Sequence, residues 1–173
     1  MILRMSLSAF TLLHVAISLI GIATGLIVAA AMLRSKAPNG WTASFLATTV
    51  FTSATGFLFP VDKILPSHIV GAISLVVLAV AIAARYGFGM RGAWRHVYVL
   101  TATLALYLNV FVGVVQSFLK IPALRALAPK QTEPPFVVSQ GVVLLLFVVL
   151  AIVAAVRFRS EGIGTGGARP VGR

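Results

Sequence analysis

The most prominent pattern in the sequence is a series of long apolar runs, separated by short segments that contain charged residues, proline or glycine. A transmembrane helix needs about 20 mostly apolar residues to cross the hydrocarbon core of a bilayer. Between residues 142 and 150 every side chain is apolar, which excludes the alternating pattern of a transmembrane strand. The sequence therefore predicts an all-α membrane protein, a bundle of five transmembrane helices over residues 7–33, 41–59, 65–84, 94–119 and 136–156.

Basic residues and helix-breaking residues mark the ends of these runs. The first run ends at Arg34, and the last run begins after Pro135. Because the runs follow one another with short connections, residues 1–160 are predicted to form a single transmembrane domain. Residues 161–173 are rich in glycine and arginine, a composition that favours a disordered tail.

The composition excludes a water-soluble globule. Apolar residues make up 60% of the chain, charged residues make up 10%, and the mean hydropathy is +1.05. Soluble domains contain about 25% charged residues. The net charge of +11 lies between the apolar runs, so it indicates membrane topology and gives no support for a nucleic-acid partner. The absence of cysteine excludes disulfides, zinc–thiolate sites, iron–sulfur clusters and thiol nucleophiles.

The basic residues divide unequally between the two sides of the predicted bundle. One side carries Arg34, Lys36, Arg85, Arg91, Arg95, Arg157, Arg159, Arg169 and Arg173, and the other carries Arg4, Lys63, Lys120, Arg125 and Lys130. Cytoplasmic loops of membrane proteins carry an excess of lysine and arginine. The distribution therefore predicts that the N-terminus lies outside and that the C-terminus, with its basic tail, lies in the cytoplasm.

Small and hydroxyl-bearing residues form stripes on the first two predicted helices. They recur every three or four residues, at Thr11, His14, Ser18, Gly21 and Gly25 on the first helix and at Thr48, Thr52 and Thr55 on the second. Small residues let membrane helices approach closely, and hydroxyl groups hydrogen-bond across helices or back to their own backbone. These stripes are therefore predicted to be packing seams.

Strongly polar side chains inside the predicted spans concentrate in the outer half of the bundle. Asn109 and Gln116 lie two turns apart on one face of the fourth helix, and a buried amide in hydrocarbon needs a partner. His14 lies in the first span, Gln140 lies near the outer end of the fifth, and His68 heads the third. We therefore expect these five residues to line a ligand-binding pocket that opens toward the outer face. The alternative is that they hydrogen-bond to one another and hold the helices together.

The loop between the fourth and fifth spans is predicted to lie in the outer membrane–water interface. Pro122 suits the first turn of a short interfacial helix. Glu133 is expected to reach Lys120, Lys130 or His68 and so to hold the loop over the proposed pocket. The alternative is a simple basic linker.

Four short motifs in the second to fifth spans carry a family resemblance. They are Thr55-Gly56-Phe57, Ser67-His68-Ile69-Val70-Gly71, Tyr107-Leu108-Asn109-Val110-Phe111-Val112 followed by Gln116, Lys120 and Pro122, and Glu133-Pro134-Pro135-Phe136. Together they resemble a group of small uncharacterised bacterial membrane proteins. The resemblance implies a multi-pass protein of the bacterial cytoplasmic membrane, and it implies no activity, because none is assigned to that group.

The scarcity of acids limits the chemistry that the chain can perform. Its only carboxylate side chains, Asp62, Glu133 and Glu161, are predicted in loops or in the tail, so the sequence indicates no acid–base pair and no metal centre. We expect a non-enzymatic membrane protein that holds a small solute, a quinone or a lipid in the outer-half pocket. It is expected to act as a minor permease or as an accessory subunit, in a homo-oligomer or in a larger membrane complex.

Two alternatives to this function remain open at the level of the sequence, and no cofactor is favoured. A b-type haem needs two axial ligands at matching depth, and His14 and His68 are the one plausible pair. A purely structural bundle, without any ligand, is the other alternative.

Overall fold

The computed structural model describes residues 6–59 and 66–158, and within these ranges the chain forms helices and no strands. The all-α prediction is therefore confirmed. The helices are α1 (Leu7–Leu33), α2 (Asn39–Gly56), α3 (Pro66–Ile82), α4 (Trp94–Lys120), α5 (Pro122–Leu127) and α6 (Pro134–Arg157), and a π-helical turn (Ala83–Gly87) extends α3. The predicted tail, residues 161–173, lies outside the described residues.

The observed helix ends agree with the predicted spans to within a few residues. α1 matches its predicted span, and the side chain of Ser6 caps its first turn. α2 ends at Gly56 instead of residue 59. The N–H groups of Phe57 and Leu58 donate to carbonyl oxygens three residues back, as in a turn, instead of four residues back as in an α-helix. α6 begins at Pro134 instead of residue 136, because the first turn of a helix leaves its N–H groups unpaired and so accepts proline.

Four helices in the described part of the chain are long and apolar enough to cross a membrane: Leu7–Leu33, Pro66–Gly87, Trp94–Lys120 and Pro134–Arg157. The structure thus supports a membrane protein. α2 is not among these helices, because its asparagine, serine and threonine side chains lower its mean hydropathy. Of the five predicted spans, four are therefore supported by length and composition.

α1 and α2 form an antiparallel hairpin along the length of α2. The contacting pairs are Gly25 with Phe45, Gly21 with Thr48, Ser18 with Thr52, and His14 with Thr55. Each step of three or four residues back along α1 is matched by a step of three or four residues forward along α2. The predicted packing seam between these two helices is confirmed.

Gly25 lies where α1, α2 and α4 approach most closely. A Cβ atom at this position would lie 2.5 Å from Cδ1 of Leu106 and 2.9 Å from the ring of Phe45. These separations are shorter than van der Waals contact, so a larger residue at this point forces its neighbours apart. Glycine is what permits the three helices to converge here.

α4 is the central helix of the bundle and contacts α1, α2, α3, α5 and α6. In its N-terminal half, the side chains of Tyr98, Ala102 and Leu106 are almost completely inaccessible. α6 packs against another face of α4, where the rings of Tyr107 and Phe147 lie 5.7 Å apart. Most of the remaining α6 surface is exposed and apolar, as expected of a helix that faces lipid.

The two ends of the bundle differ in charge. The end that we name the basic end carries Arg34, Lys36, Arg85, Arg91, Arg95 and Arg157, whereas the opposite end, which we name the α5 end, carries Lys120, Arg125 and Lys130 among the described residues. Hydrogen bonds close the basic end, because Ser35 donates to the carbonyl oxygen of Arg157 and Arg95 donates to that of Phe158. The predicted charge asymmetry is present in the described part of the chain.

Candidate functional site

His14 lies half-buried on the α1–α2 seam toward the α5 end. Its Nδ1 atom lies 2.9 Å from Oγ1 of Thr55, and its ring packs edge-on against Phe59 at 5.2 Å. Thr55 donates its only hydroxyl proton to the carbonyl oxygen of Phe51, at 2.6 Å. The Thr55 oxygen therefore accepts from Nδ1–H of His14. In a neutral imidazole this arrangement leaves Nε2 as a hydrogen-bond acceptor.

Asn109 lies buried where α4 meets the α1–α2 seam. A Cβ atom at Gly21 would lie 3.1 Å from Nδ2 of Asn109 and 3.2 Å from the hydroxyl oxygens of Thr48 and Thr49. We name this gap the Gly21 notch. Both threonines donate to carbonyl oxygens of their own helix, so their oxygens face the notch as acceptors. Within the described residues, Nδ2 of Asn109 is buried and completes no hydrogen bond.

Gln140 lies on a different side of α4 from Asn109. Its Nε2 atom donates to the carbonyl oxygen of Phe111 at 3.2 Å, while its Oε1 atom is buried without a hydrogen-bond partner in the described part of the chain. At about 100° per residue, Phe111 and Asn109 point roughly 200° apart around α4. Gln140 therefore holds α6 to α4 and does not share a space with Asn109. The remaining predicted amide, Gln116, is exposed on the surface of α4.

His68 lies half-buried at the start of α3, with its ring 5.5 Å from that of Phe57. His14, in contrast, packs against Thr55. The two histidines therefore contact different residues near the C-terminal end of α2, His14 contacting Thr55 within the helix and His68 contacting Phe57 just after it. A haem with two axial histidines needs both imidazoles on one axis through the iron. Haem ligation by His14 and His68 stays a prediction.

The structure thus divides the five predicted ligand residues among separate environments. His14 and Asn109 share the α1–α2 seam, Gln140 lies between α4 and α6, His68 lies beside Phe57, and Gln116 is exposed. The five side chains therefore do not line one common pocket. Two of the five join neighbouring helices, His14 through Thr55 and Gln140 through the carbonyl oxygen of Phe111, but neither bond is to another of the five.

Glu133 caps the link between α5 and α6. Its carboxylate accepts hydrogen bonds from the backbone N–H groups of Lys130 and Thr132, at 3.1 and 3.0 Å. Desolvation raises the pKa of this carboxyl, but the backbone hydrogen bonds and the charge of Lys130 outweigh it and hold the pKa below its ordinary value. The expected reach across the loop to Lys120 is replaced by these local bonds. Gln131 anchors the link by donating to the carbonyl oxygen of Val115 at 2.9 Å.

The structure also reveals a buried polar cluster at the basic end, centred on Arg85, that the sequence did not predict. Arg85 is only 5% exposed. Its Nη2 atom donates to Oδ1 of Asn39 at 2.7 Å and to the carbonyl oxygen of Ala37 at 3.3 Å. The guanidinium carbon lies 5.3 Å from the ring centre of Tyr98, which is a cation–π contact. The side chain joins the α1–α2 loop to the π-helical turn and to α4.

No carboxylate in the described part of the chain neutralises Arg85. Of the three acidic residues only Glu133 is described, and it lies at the α5 end. That end is about 40 Å away along the 27 residues of α4. A sequence signal for burial was present, because Ser74, Leu78, Ala81 and Arg85 follow one another at helical spacing. Arg85 directly follows the predicted third span, so its burial was not predicted.

No protein-family model matches the chain, and neither a curated protein nor a solved structure matches it at a significant level.

Proposed function

We propose that the chain is a multi-pass membrane protein in which α2 forms the fifth span. α1 is long and apolar enough to cross the membrane, and α2 lies antiparallel along it. The hydrogen bonds that Arg85 donates to the carbonyl oxygen of Ala37 and to Asn39 join the connection between α1 and α2 to the turn after α3. These two connections lie on one side of a membrane only if α2 crosses it between them. Three of the hydroxyl groups of α2, those of Thr48, Thr49 and Thr55, donate to carbonyl oxygens of their own helix, which lowers the cost of placing them in a membrane.

The proposed orientation places the N-terminus outside and the basic end in the cytoplasm. This assignment is supported by the excess of cations at the basic end over the α5 end. The motif resemblance described for the sequence supports the cytoplasmic membrane of a bacterium as the location.

The function that the geometry favours is that of a non-enzymatic accessory subunit, a compact bundle that acts within a homo-oligomer or a larger membrane complex. The observation that carries this proposal is the position of Asn109. Its amide fills the Gly21 notch between two threonines, so a buried amide of α4 serves helix packing. Gln140 likewise joins α6 to α4. Side chains used in this way occupy the contacts between helices and leave the lipid-facing surfaces of the bundle to interact with other proteins.

A second candidate function is the retention of a small solute, a quinone or a lipid at the α1–α2 seam. Two atoms favour it, because Nδ2 of Asn109 is a donor without a hydrogen bond in the described residues and Nε2 of His14 is an acceptor. Both residues lie on the same seam, about two turns of α1 apart when counted from His14 to Gly21. A ligand that bridges them would pair one donor with one acceptor.

The accessory role is tested by photo-crosslinking in native membranes. A benzophenone amino acid replaces Leu145 on α6 or Leu12 on α1, two side chains that are 63% and 71% exposed. The proposal expects a discrete protein adduct from at least one position. An adduct that persists in the purified, reconstituted protein identifies a second copy of the chain, and one that disappears identifies a different subunit. Lipid adducts alone at both positions contradict the accessory role.

The solute-binding candidate is tested separately, by thermal unfolding of the purified protein with a ubiquinone analogue. Binding to native protein predicts a higher melting temperature. The same shift is expected to disappear in Asn109→Leu and to persist in Gln116→Leu, whose side chain is exposed. No shift, or an equal shift in both variants, excludes this seam as the site for that probe.

A further inference from the structure

A surface cavity lies at the basic end, between the π-helical turn and the start of α4. Its volume is about 410 Å³, and it is lined by Tyr86, Gly87, Phe88, Gly89, Arg91 and Trp94. The rings of Phe88 and Trp94 stack with their centres 3.8 Å apart and their planes within 5° of parallel. Both rings remain partly exposed. Aromatic rings of this kind favour the boundary between lipid and water.

Arg91 supplies the charge of this cavity. Its Nε atom lies 4.0 Å from the position that a Cβ atom of Gly89 would take, so its side chain folds over the glycine. Gly89 and Gly92 adopt positive φ values of 57° and 56°, which give the tight turn that brings Arg91 beside the rings. Within the described part of the chain no hydrogen bond or ion pair engages the guanidinium of Arg91.

The other arginines near the cavity are already engaged. Arg85 donates to Asn39 and to the carbonyl oxygen of Ala37, and Arg95 donates to the carbonyl oxygen of Phe158. Neither has a carboxylate partner in the described ranges, where Glu133 is the one acidic residue and belongs to the α5 end. The cavity therefore lies in a field of uncompensated positive charge, with Arg91 exposed at its wall.

We propose that this cavity binds the phosphate headgroup of an anionic phospholipid from the adjoining leaflet. The planar guanidinium of Arg91 presents paired N–H donors that match phosphate oxygens. The Phe88–Trp94 pair packs against the glycerol backbone of the lipid, and the buried charge of Arg85 adds to the attraction. The apolar rings favour a lipid over a free phosphate ion, because they offer a free ion nothing to bind. This site goes beyond the accessory role and depends only on the placement of the basic end at a membrane surface.

Tryptophan quenching by brominated lipids tests the site in the full-length protein. Trp41→Phe leaves Trp94 as the single reporter, since the chain contains two tryptophans. This protein is reconstituted in phosphatidylcholine vesicles that contain an equal fraction of brominated phosphatidylglycerol or brominated phosphatidylcholine. We expect the anionic lipid to associate about five times more strongly beside Trp94, which is the effect of roughly one cation at a membrane surface.

The matched variants are Arg91→Gln and Arg125→Gln, each made in the Trp41→Phe background. Both residues are exposed, but Arg125 lies in α5 at the far end of the bundle. Arg91→Gln is expected to bring the association ratio close to one, whereas Arg125→Gln is expected to leave it unchanged. A ratio of one in the parent protein, or equal ratios in the two variants, overturns the proposal. Loss of the preference in inorganic phosphate, but not in sodium chloride of equal ionic strength, assigns the cavity to a free anion and also overturns it.

Discussion

The amide nitrogen of Asn109 lies 3.1 Å from the point where a Cβ atom of Gly21 would lie, so the side chain of one residue fills the space that the other leaves empty. This relationship joins α4 to α1 near the middle of the bundle. It also brings the amide beside Thr48 and Thr49 of α2. Three helices are thus held at one point by complementary shape, with polar atoms turned toward one another.

The first prediction concerns the close approach at Gly25. Gly25→Ala is expected to lower the free energy of unfolding by about 1–3 kcal/mol, because the added methyl group overpacks the contact with Leu106 and Phe45. The control is Gly141→Ala in α6, where nothing lies within 4 Å of the added atom. Unfolding in mixed detergent micelles measures both variants. Equal effects of the two substitutions contradict the convergence of helices at Gly25.

The second prediction compares the two buried amides. Asn109→Leu is expected to leave the unfolding free energy unchanged or to raise it by up to about 1 kcal/mol, because Nδ2 completes no hydrogen bond among the described residues. Gln140→Leu is expected to lower it by about 1 kcal/mol, because the bond to the carbonyl of Phe111 is lost. The same micelle assay compares them. A loss above about 2 kcal/mol in Asn109→Leu shows that the amide is hydrogen-bonded in solution.

The third prediction concerns the buried guanidinium at the basic end. Arg85→Met is expected to destabilise the protein by about 1–3 kcal/mol, because the oxygens of Asn39 and Ala37 lose charged donors. Arg85→Lys retains the charge but not the fork of N–H groups, so an intermediate loss is expected. The control, Arg34→Met, removes an exposed cation and is expected to change stability by less than about 0.5 kcal/mol. Similar losses in Arg85→Met and Arg34→Met refute the special role of Arg85.

The fourth prediction tests the fifth span, and the absence of cysteine makes the chain well suited to it. Single cysteines are placed at the exposed residues Lys36, Arg91 and Ala126. If α2 crosses the membrane, positions 36 and 91 lie on one side and position 126 lies on the other. In intact cells, a membrane-impermeant maleimide is then expected to label only position 126. Labelling that separates position 36 from position 91 shows that α2 does not cross.

The fifth prediction concerns pH at the link between α5 and α6. The pKa of Glu133 lies below its ordinary value of 4.5, so its stabilising effect is present above that pH and is lost as the pH falls through the lowered pKa. The backbone N–H groups of Lys130 and Thr132 then lose their acceptor. Amide NMR shifts of these two residues should report this transition. They should stay flat over the same acid range in Glu133→Gln, and a transition that persists in that variant assigns it to another group.

The helices themselves were predictable because the signals that define them are local. α1 follows from an unbroken apolar run that ends at Arg34, and the seam follows from small residues at helical spacing. α2 is the instructive case, because its hydroxyl groups lower its hydropathy although those of Thr48, Thr49 and Thr55 donate to carbonyl oxygens of the same helix. Mean hydropathy counts such a side chain as polar whether or not its hydroxyl group is hydrogen-bonded.

The candidate site was less predictable, because which residues share a space depends on how the helices rotate and pair. Asn109 and Gln116 were correctly placed on one face of α4, but that face is covered at Asn109 and exposed at Gln116. His14 contacts Thr55 within α2, whereas His68 packs against Phe57, just after that helix ends. Arg85 was interpreted as a terminus because charge normally ends a span. Its burial depends on partners that are distant in the sequence, Asn39 and Tyr98.

The stripe of hydroxyl groups at Thr48, Thr52 and Thr55 of α2 has a further consequence for the alignment of the α1–α2 hairpin. Its oxygens recur at nearly every helical turn, so sliding α2 by one turn along α1 would present much the same chemistry. The ring of Phe45 does not repeat in this way. One turn in one direction it would meet Ala29, which carries a Cβ atom, and one turn in the other it would meet Gly21, whose space Asn109 already fills. The size of the Phe45 side chain, rather than the polarity of the α2 surface, therefore distinguishes the correct alignment from one shifted by a turn.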